Sequence, residues 1–258
     1  MATSAGQRVQ RLTSAFRTCS ADCRWASVNG GGRESPIAKS GLAAGGGELV
    51  AVVGPNGAGK STMFNLITGV LPLGSGEVRF RGERIDRLSS RRIVRRGIAR
   101  TFQIVQPFAA QTVRENIAVG AHLHLPQRAL ALARAEEVAL QVGLGPQLDK
   151  LASDLTVAGR KRLEMARALA ARPKLLLLDE PLEGLAPIIV EELLKAITRV
   201  TREEGMSVII VEQHPQAILA ISHQAVVLDH GTVVHTSDAQ TLRQQPELLD
   251  RLLGVSRH

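Results

Sequence analysis

The sequence predicts an α/β fold with a mainly parallel sheet, an antiparallel β part and a helical insertion. From residue 48 onward, short apolar runs alternate with helical patterns, which is typical of parallel strands joined by crossover helices. Residues 104–155 interrupt this alternation with mostly helical patterns, and residues 225–235 are predicted to form a hairpin. The helical stretch is therefore expected as an insertion, and the hairpin supplies antiparallel pairing.

Each predicted element rests on a local pattern. Buried strands are continuous apolar runs, two-sided strands alternate apolar and polar residues, and amphipathic helices repeat apolar residues at helical spacing. The predicted strands are 48–54, 77–85, 98–103, 174–180, 206–213 and the hairpin at 225–235. The predicted helices are 60–70, 89–97, 112–122, about 128–142, one within 154–170, and 187–205.

The domain organisation is predicted from local composition and chain length. Residues 1–46 are predicted to be irregular, because GGG occurs at 30–32 and again at 45–47 and Ser is frequent. Residues 47–258 are predicted to form one α/β domain, with a helical subdomain at about 104–170. The whole chain has 258 residues, which fits one large domain that contains a subdomain.

Composition narrows the classes of partner. The formal charge is +8, which suits nucleic acid, an anionic membrane surface or phosphate ligands. Aromatic residues are only 2% of the chain, which disfavours base stacking on single-stranded nucleic acid. Cys19 and Cys23 have neither a second pair nor a nearby His, so we expect no disulfide framework and no zinc site. No run approaches the roughly 18 apolar residues that a membrane span needs.

The stretch GPNGAGKS at 54–61 matches a phosphate-binding loop. It follows a predicted strand and opens a predicted helix, so backbone N–H groups and the helix N-terminus can surround phosphate oxygens. Lys60 is expected to reach the β- and γ-phosphates, and Ser61 to hold Mg²⁺. The fold class is therefore a P-loop NTPase core. The expected nucleotide-binding residues here are Gly54, Pro55, Asn56, Gly57, Ala58, Gly59, Lys60, Ser61 and Thr62.

The stretch KLLLLDEP at 174–181 is an apolar strand that ends in two acids. In a parallel sheet such a strand delivers its carboxylates to the edge where ligands of α/β proteins bind. Asp179 is expected to hold Mg²⁺, and Glu180 is expected to orient and deprotonate the attacking water.

These two motifs, TFQ at 101–103 and the stretch DLTVAGRKRLEMARALA at 154–170 together resemble the ATP-binding subunits of ABC transporters, from about Gly47 to the C-terminus. The resemblance implies ATP and Mg²⁺ as cofactors and ATP hydrolysis as the activity. It places Gln103 in the family's glutamine loop, which touches Mg²⁺ and water and links the ATP site to the helical insertion.

The resemblance also implies a second ATPase subunit. In the family two such domains pair head to tail, and the signature loop of one presses on the γ-phosphate held by the other. Residues 155–159 match that loop, so Thr156, Ala158 and Gly159 are expected to contact nucleotide across the dimer.

Three cations, Arg160, Lys161 and Arg162, follow the signature loop at the start of a predicted helix. The macrodipole favours acids there, so we expect the loop and helix front to face an anion. In the dimer implied by the resemblance, that anion belongs to the second subunit. The alternative is a solvated basic face.

The sequence departs from the family pattern at several positions. Val157 and Ala158 replace two glycines of the signature loop, where a Cβ can block close approach or a positive φ. Gln213 stands at the position of the switch histidine, and His214 lies one place further on. Ala186 replaces an Asp that communicates across the dimer.

An adenine-stacking aromatic is also missing from its slot near Asn29 or Gly30, and Trp25 is the nearest aromatic. Two hypotheses follow from all of these departures. Either the chain works in a heterodimer whose partner supplies the better loop, or it is a slow ATPase.

Three further stretches, GIARTFQ, NIAVGAH and EGLAP, resemble ATPase subunits of importers for branched-chain and related amino acids, and VEQ at 211–213 resembles the second ATPase subunit of such systems. The resemblance implies two membrane permease subunits, a solute-binding protein as an indirect partner, and a peripheral location on the cytoplasmic face of the plasma (inner) membrane. Two alternatives are a non-catalytic ATP-binding partner subunit and a non-transport ABC ATPase that acts on nucleic acid. No nucleic acid is expected as a partner, because the chain lacks the long insertions of such ATPases.

Overall fold

The structure is a computed structural model that describes residues 27–29, 42–74, 76–103, 106–213 and 215–254. Its strands are β1 Ser27–Asn29, β2 Leu49–Val53, β3 Glu77–Phe80, β4 Glu83–Arg84, β5 Ile98–Arg100, β6 Leu175–Asp179, β7 Ser207–Glu212, β8 Gln224–Asp229 and β9 Thr232–Asp238. Its α-helices are α1 Lys60–Ile67, α2 Ser90–Arg95, α3 Val113–Ala121, α4 Arg128–Gln141, α5 Val157–Ala170, α6 Pro187–Glu204, α7 Pro215–Leu219, α8 Ala239–Arg243 and α9 Pro246–Leu252.

The main sheet has the strand order β5-β6-β7-β2-β8-β9. All neighbouring pairs are parallel except β8 and β9, which form the antiparallel hairpin. The predicted α/β class, mainly parallel sheet and hairpin are therefore confirmed. Because parallel strands share one polarity, the carboxyl ends of β5, β6, β7 and β2 lie side by side at one edge.

The sheet is covered on both faces, which explains why its central strands are continuous apolar runs. All residues of β2, β6 and β7 are buried. Odd-numbered residues of β2 pack in the cluster that contains α3, α4, α5 and α6. Even-numbered residues of β2 pack with α1 and with β3 of the small sheet.

The helical subdomain is formed by α3, α4 and α5, which pack on one another. Helix α3 begins with a capping box, in which Thr112 and Glu115 exchange side-chain and backbone hydrogen bonds. Gly120 lets α3 approach α5 closely, because a Cβ there would lie 2.1 Å from the carbonyl oxygen of Arg167. This tight crossing fixes α5, which carries the signature loop at its N-terminus, against α3.

Two features of the β part differ from the prediction. Residues 77–85 form a hairpin rather than one strand, because Arg81 and Gly82 both have positive φ, 53° and 81°, as a two-residue hairpin turn requires. Strand β1 lies within the segment predicted to be irregular, and it pairs with β3 in the small antiparallel sheet. Three residues with one β-branched side chain are too short a pattern to stand out in the sequence.

Candidate active site

Four strand ends converge at the carboxyl edge of the main sheet. Strand β2 leads into the phosphate loop, β6 ends at Asp179 before Glu180, β7 ends before Gln213, and β5 leads to Gln103. The strand order places β6 and β7 between β5 and β2. The topology thus brings together residues that are up to 159 positions apart in the chain, as from Gly54 to Gln213.

The phosphate loop curls between β2 and α1 as the glycine pattern predicts. Gly57 and Gly59 have positive φ of 78° and 96°, and Gly59 is the residue before the first turn of α1. Gly54 packs tightly, because a Cβ there would lie 2.2 Å from the carbonyl oxygen of Leu228. Asn56 and Gly57 are exposed at the tip, and Ser61 and Thr62 lie in the first turn of α1.

Lys60 is held inside this loop. It is 5% exposed, and its Nζ donates to the carbonyl oxygens of Gly54 at 2.7 Å and Pro55 at 2.9 Å. Burial lowers the pKa of Lys60, and the carboxylates of Glu180 and Asp179 oppose that fall. An ammonium centred among loop carbonyls is placed to exchange them for phosphate oxygens.

The two expected metal-holding groups of β6 and α1 are neighbours. The Ser61 hydroxyl donates to Asp179 Oδ1 at 3.3 Å, and the Asp179 backbone N–H donates to Thr101 Oγ1 at 3.1 Å. A hydroxyl and a carboxylate oxygen are the hard donors that Mg²⁺ prefers. The residues present therefore fit a Mg²⁺ ion at this point.

Glu180 is the most constrained side chain of the site. Gln103 Nε2 donates to its Oε2 at 2.8 Å, and Gln213 Nε2 donates to its Oε1 at 3.1 Å. The residue is 5% exposed and has a positive φ of 49°, an unfavourable backbone conformation for Glu. Both predicted glutamines thus meet at one carboxylate, one on each oxygen.

The signature loop forms the start of α5. Thr156 is the N-cap residue, and its Oγ1 accepts a hydrogen bond from the Gly159 N–H at 3.2 Å. Val157 and Ala158 are the first helical residues, so the positive φ that a Cβ would oppose is not adopted there. Val157 is 63% exposed. The Thr156 oxygen therefore caps its own helix, and its hydroxyl hydrogen can still be donated to another group.

The side chains of Arg160, Lys161 and Arg162 all have partners within their own chain, and their contact with an anion of a second subunit stays a prediction. Arg160 donates to the carbonyl oxygen of Ser153 at 3.0 Å, and Arg162 forms an ion pair with Glu192. Lys161 Nζ donates to the carbonyl oxygen of Glu180 at 2.9 Å. Each cation therefore meets an oxygen of its own chain, and Lys161 fastens α5 to the backbone of the constrained glutamate.

Several expectations concern positions outside the described residues: Cys19, Cys23, Trp25, Gly30 and His214. Asn29 belongs to β1, where only the backbone is described. Ala186 is the residue before the first turn of α6 and provides no side-chain cap.

Sequence reasoning missed three charged residues of the site. Arg100 pairs with Asp179, Glu164 of α5 accepts the Phe102 N–H beside Gln103, and Glu212 accepts the Leu182 N–H beyond Glu180. Burial raises the pKa of Glu164 and that of Glu212 to about 7 in each case. The sequence signal that could have identified these residues is a charged side chain inside or at the end of an apolar strand or on the apolar face of a helix.

Glu212 leads to a prediction about pH. Burial raises its pKa from 4.5 to about 7, and Glu180 adds to the rise while the Leu182 N–H and Lys161 oppose it. Between about pH 4.5 and 7 the folded protein holds a proton that the unfolded chain releases, so the contribution of Glu212 to stability falls as pH rises.

Glu212→Gln removes this dependence, and its amide oxygen still accepts the Leu182 N–H. As pH rises from about 4.5 to 7, wild type should lose stability relative to the variant. We expect the difference in the free energy of unfolding, variant minus wild type, to increase by up to roughly 3 kcal/mol. Urea denaturation across the pH range measures the difference, with the exposed Glu183→Gln as the control. Parallel profiles for wild type and Glu212→Gln would contradict the prediction.

Thr156 leads to a prediction about helix stability. Thr156→Ala removes the side-chain oxygen that accepts the Gly159 N–H, so we expect a loss of about 1 kcal/mol in the free energy of unfolding. Thr156→Ser keeps the oxygen and should remain close to wild type. Urea denaturation measures both variants beside Thr198→Ala, a helix-interior control, and a Thr156→Ala protein as stable as wild type would contradict the prediction.

The fold and the site together define a P-loop ATPase of the ATP-binding cassette class. The family model described as ABC transporter matches residues 39–183, which is more than half of the chain. The chain belongs to that family, and it is an ATP-binding, ATP-hydrolysing subunit of a transporter.

Individual relatives point in the same direction. The chain is 33% identical over 222 residues to the high-affinity branched-chain amino acid transport ATP-binding protein BraF of Pseudomonas aeruginosa, covering 80% of this chain and 87% of BraF. It is 32% identical over 207 residues to the thiamine import ATP-binding protein ThiQ of Vibrio vulnificus, covering 79% and 87%. A solved ATP-binding cassette, in a dimeric post-hydrolysis state bound to ADP and Pi, has a TM-score of 0.73 at 22% identity and covers 84% of this chain and 97% of that chain.

Proposed function

We propose that this chain powers the import of branched-chain or related amino acids by hydrolysing ATP. The assignment of the transported solute rests on the 33% identity of the chain, over 222 residues, to a branched-chain amino acid transport subunit. The site geometry supports the chemistry, because the phosphate loop, Asp179 and Glu180 meet at one sheet edge. The relative named for thiamine import makes thiamine the second candidate cargo.

The phosphate loop and Lys60 bind the nucleotide. The N–H groups of the loop and of the first turn of α1 surround the β- and γ-phosphates, and Lys60 transfers its hydrogen bonds from Gly54 and Pro55 to phosphate oxygens. Ser61, Asp179 and Gln103 would hold Mg²⁺, which would supply charge neutralisation at the phosphates. Thr62 lies beside Ser61 on the same helix turn.

Glu180 accepts the proton of the attacking water. Gln103 and Gln213 hold one carboxylate oxygen each, so the side chain is oriented before nucleotide arrives. Gln213 carries no charge, so it acts by hydrogen bonding alone. Each carboxylate oxygen accepts one amide hydrogen bond and retains a second lone pair that can accept the proton of the water, so the two glutamines orient Glu180 without blocking it.

A second ATPase subunit, either an identical copy or a different chain, completes the site. Thr156 and Ala158 stand at the N-terminus of α5, where the helix dipole favours an anion, and the buried Gly159 follows with its N–H bonded to Thr156. The nucleotide of the partner is that anion, and the loop contacts it with the helix start.

The cleft beside Gln103 is the contact surface for a membrane permease subunit. It has a volume of about 900 Å³ and lies between β5 and the helical subdomain. Its exposed apolar side chains include Phe102 and Val119, at 53% and 43% exposure. Among the described residues no helix is long and apolar enough to cross a membrane. From its likeness to ATP-binding subunits of transporters, we place the chain on the cytoplasmic face of the inner membrane, held there by two permease subunits that receive solute from a binding protein.

Uptake by the complete importer tests the cargo. Proteoliposomes that contain this chain, its permeases and its binding protein are supplied with ATP, and the uptake of radiolabelled leucine is compared with that of thiamine. We expect ATP-dependent leucine uptake that is abolished by Lys60→Ala. Thiamine uptake without leucine uptake would contradict the amino-acid assignment and would identify thiamine as the transported solute.

A further inference from the structure

Arg100 forms a buried ion pair with the carboxylate expected to hold Mg²⁺. Its Nη2 donates to Asp179 Oδ2 at 2.7 Å, and the two side chains are 7% and 1% exposed. Arg100 ends β5, which pairs in parallel with β6, so the sheet itself places the guanidinium beside Asp179. Buried pairs of this kind cost desolvation free energy, and an apolar side chain would fill the space at less cost.

The surroundings of Arg100 hold its guanidinium in one place. Its Nη1 donates to Asn65 Oδ1 at 2.5 Å, and its guanidinium carbon lies 5.4 Å and 5.0 Å from the ring centroids of Phe64 and Phe102. Its Nε is buried and has no hydrogen-bond partner in the described part of the chain. The side chain is therefore oriented towards Asp179 although its own hydrogen bonding is incomplete.

The two oxygens of Asp179 have different partners. Oδ2 accepts from Arg100, whereas Oδ1 accepts from the Ser61 hydroxyl at 3.3 Å. Oδ1 thus faces Ser61, one of the other two residues expected to hold the metal. Arg100 pairs with Asp179, and Lys60 lies close enough to Asp179, Glu180 and Glu212 for their charges to act on it.

We propose that Arg100 is a resident counterion of Asp179, a positioning residue that keeps this carboxylate turned towards Ser61 and disfavours Mg²⁺ in the absence of nucleotide. The inference rests on the proposed metal-holding role of Asp179. A fixed positive charge next to the carboxylate repels a divalent ion, and the phosphates of bound nucleotide offset that repulsion. Mg²⁺ is therefore expected to bind together with the nucleotide rather than before it.

Arg100→Met tests the proposal without nucleotide. The variant leaves Asp179 buried with no guanidinium, so Mg²⁺ becomes its favourable counterion. Removal of the guanidinium takes away a fixed positive charge that repels a divalent ion, so we expect tighter binding. We expect the melting temperature of the variant to rise with Mg²⁺ and the apparent Mg²⁺ affinity to be at least about tenfold tighter than in wild type.

The measurement is thermal unfolding at increasing Mg²⁺, with Na⁺ at matched ionic strength as the control for screening. Arg100→Lys keeps a cation and should show the weak Mg²⁺ response of wild type. An Arg100→Met protein that responds to Mg²⁺ no more than wild type would overturn the proposal, as would an Arg100→Lys protein that responds like Arg100→Met.

A double variant keeps the test decisive if Arg100→Met does not fold. Arg100→Met combined with Asp179→Asn removes both charges, so we expect it to fold and to lose the Mg²⁺ response. Failure of the double variant to fold would overturn the counterion role. These readouts need no ATP, no partner subunit and no transport, so a failure of the proposed cargo or turnover leaves them unaffected.

Discussion

Replacing Glu180 by Gln is expected to lower ATP turnover by about 10²- to 10⁴-fold while leaving Mg·ATP binding intact. The amide cannot accept the proton of the attacking water. It can still form hydrogen bonds with the two glutamines, because Gln103 or Gln213 can turn its amide oxygen towards the new NH₂ group. The buried position and the positive φ of residue 180 do not depend on the lost charge.

The measurement is steady-state phosphate release by the chain assembled with its second ATPase subunit, alongside equilibrium ATP binding. Glu183→Gln is a matched control, because it makes the same chemical change on an exposed acid three residues further on. We expect Glu180→Gln to accumulate an ATP-bound dimer and Glu183→Gln to behave like wild type. Equal turnover in wild type and Glu180→Gln would remove Glu180 as the base.

Lys60→Ala is expected to weaken ATP binding by roughly 10²- to 10⁴-fold, since it removes two charge-assisted hydrogen bonds of about 1.5–3 kcal/mol each. In the nucleotide-free chain these two bonds go to the carbonyl oxygens of Gly54 and Pro55. Their positions mark where Nζ lies when phosphate arrives. Removing the side chain also removes the cation nearest the phosphate loop, so turnover falls with binding.

Isothermal titration with Mg·ATP measures this loss, and circular dichroism confirms that the variant is folded. Lys195→Ala serves as the control, because Lys195 is an exposed cation on α6 that pairs with Glu191. Unchanged affinity in Lys60→Ala would show that ATP binds elsewhere on the chain.

The sequence predicts the phosphate loop and its neighbours well because their signals are local. GPNGAGKS combines a buried strand, glycines that adopt positive φ and a helix start within a few residues. The apolar run before Asp179 and Glu180 reports burial on both faces, which only a central parallel strand has. Strand polarity then places both motifs at one edge of the sheet.

Contacts between distant segments were beyond sequence reasoning. Arg160, Lys161 and Arg162 bind oxygens of Ser153, Glu180 and Glu192, which belong to three other segments of the chain. No pattern in the sequence of α5 predicts these partners. Arg100 likewise gains its role only because β5 pairs with β6. The register of strands and the angle at which α5 crosses α3 decide such contacts, and both depend on packing rather than on local preference.

The substitutions in the signature loop have a milder structural effect than expected. Val157 and Ala158 fit α5 as its first residues, so side chains there extend the helix rather than strain the backbone. Helix formation at this point leaves the loop able to present a helix N-terminus to a partner.

Phosphate release from Mg·ATP, measured for this chain alone and with its second ATPase subunit, tests the central claim most directly. A site that the signature loop of a second subunit completes predicts slow release by the chain alone and faster release in the assembled pair, with both rates lost in Glu180→Gln. ATP that binds to the assembled pair and is recovered unhydrolysed would contradict catalysis at this site and would identify the chain as a non-catalytic subunit.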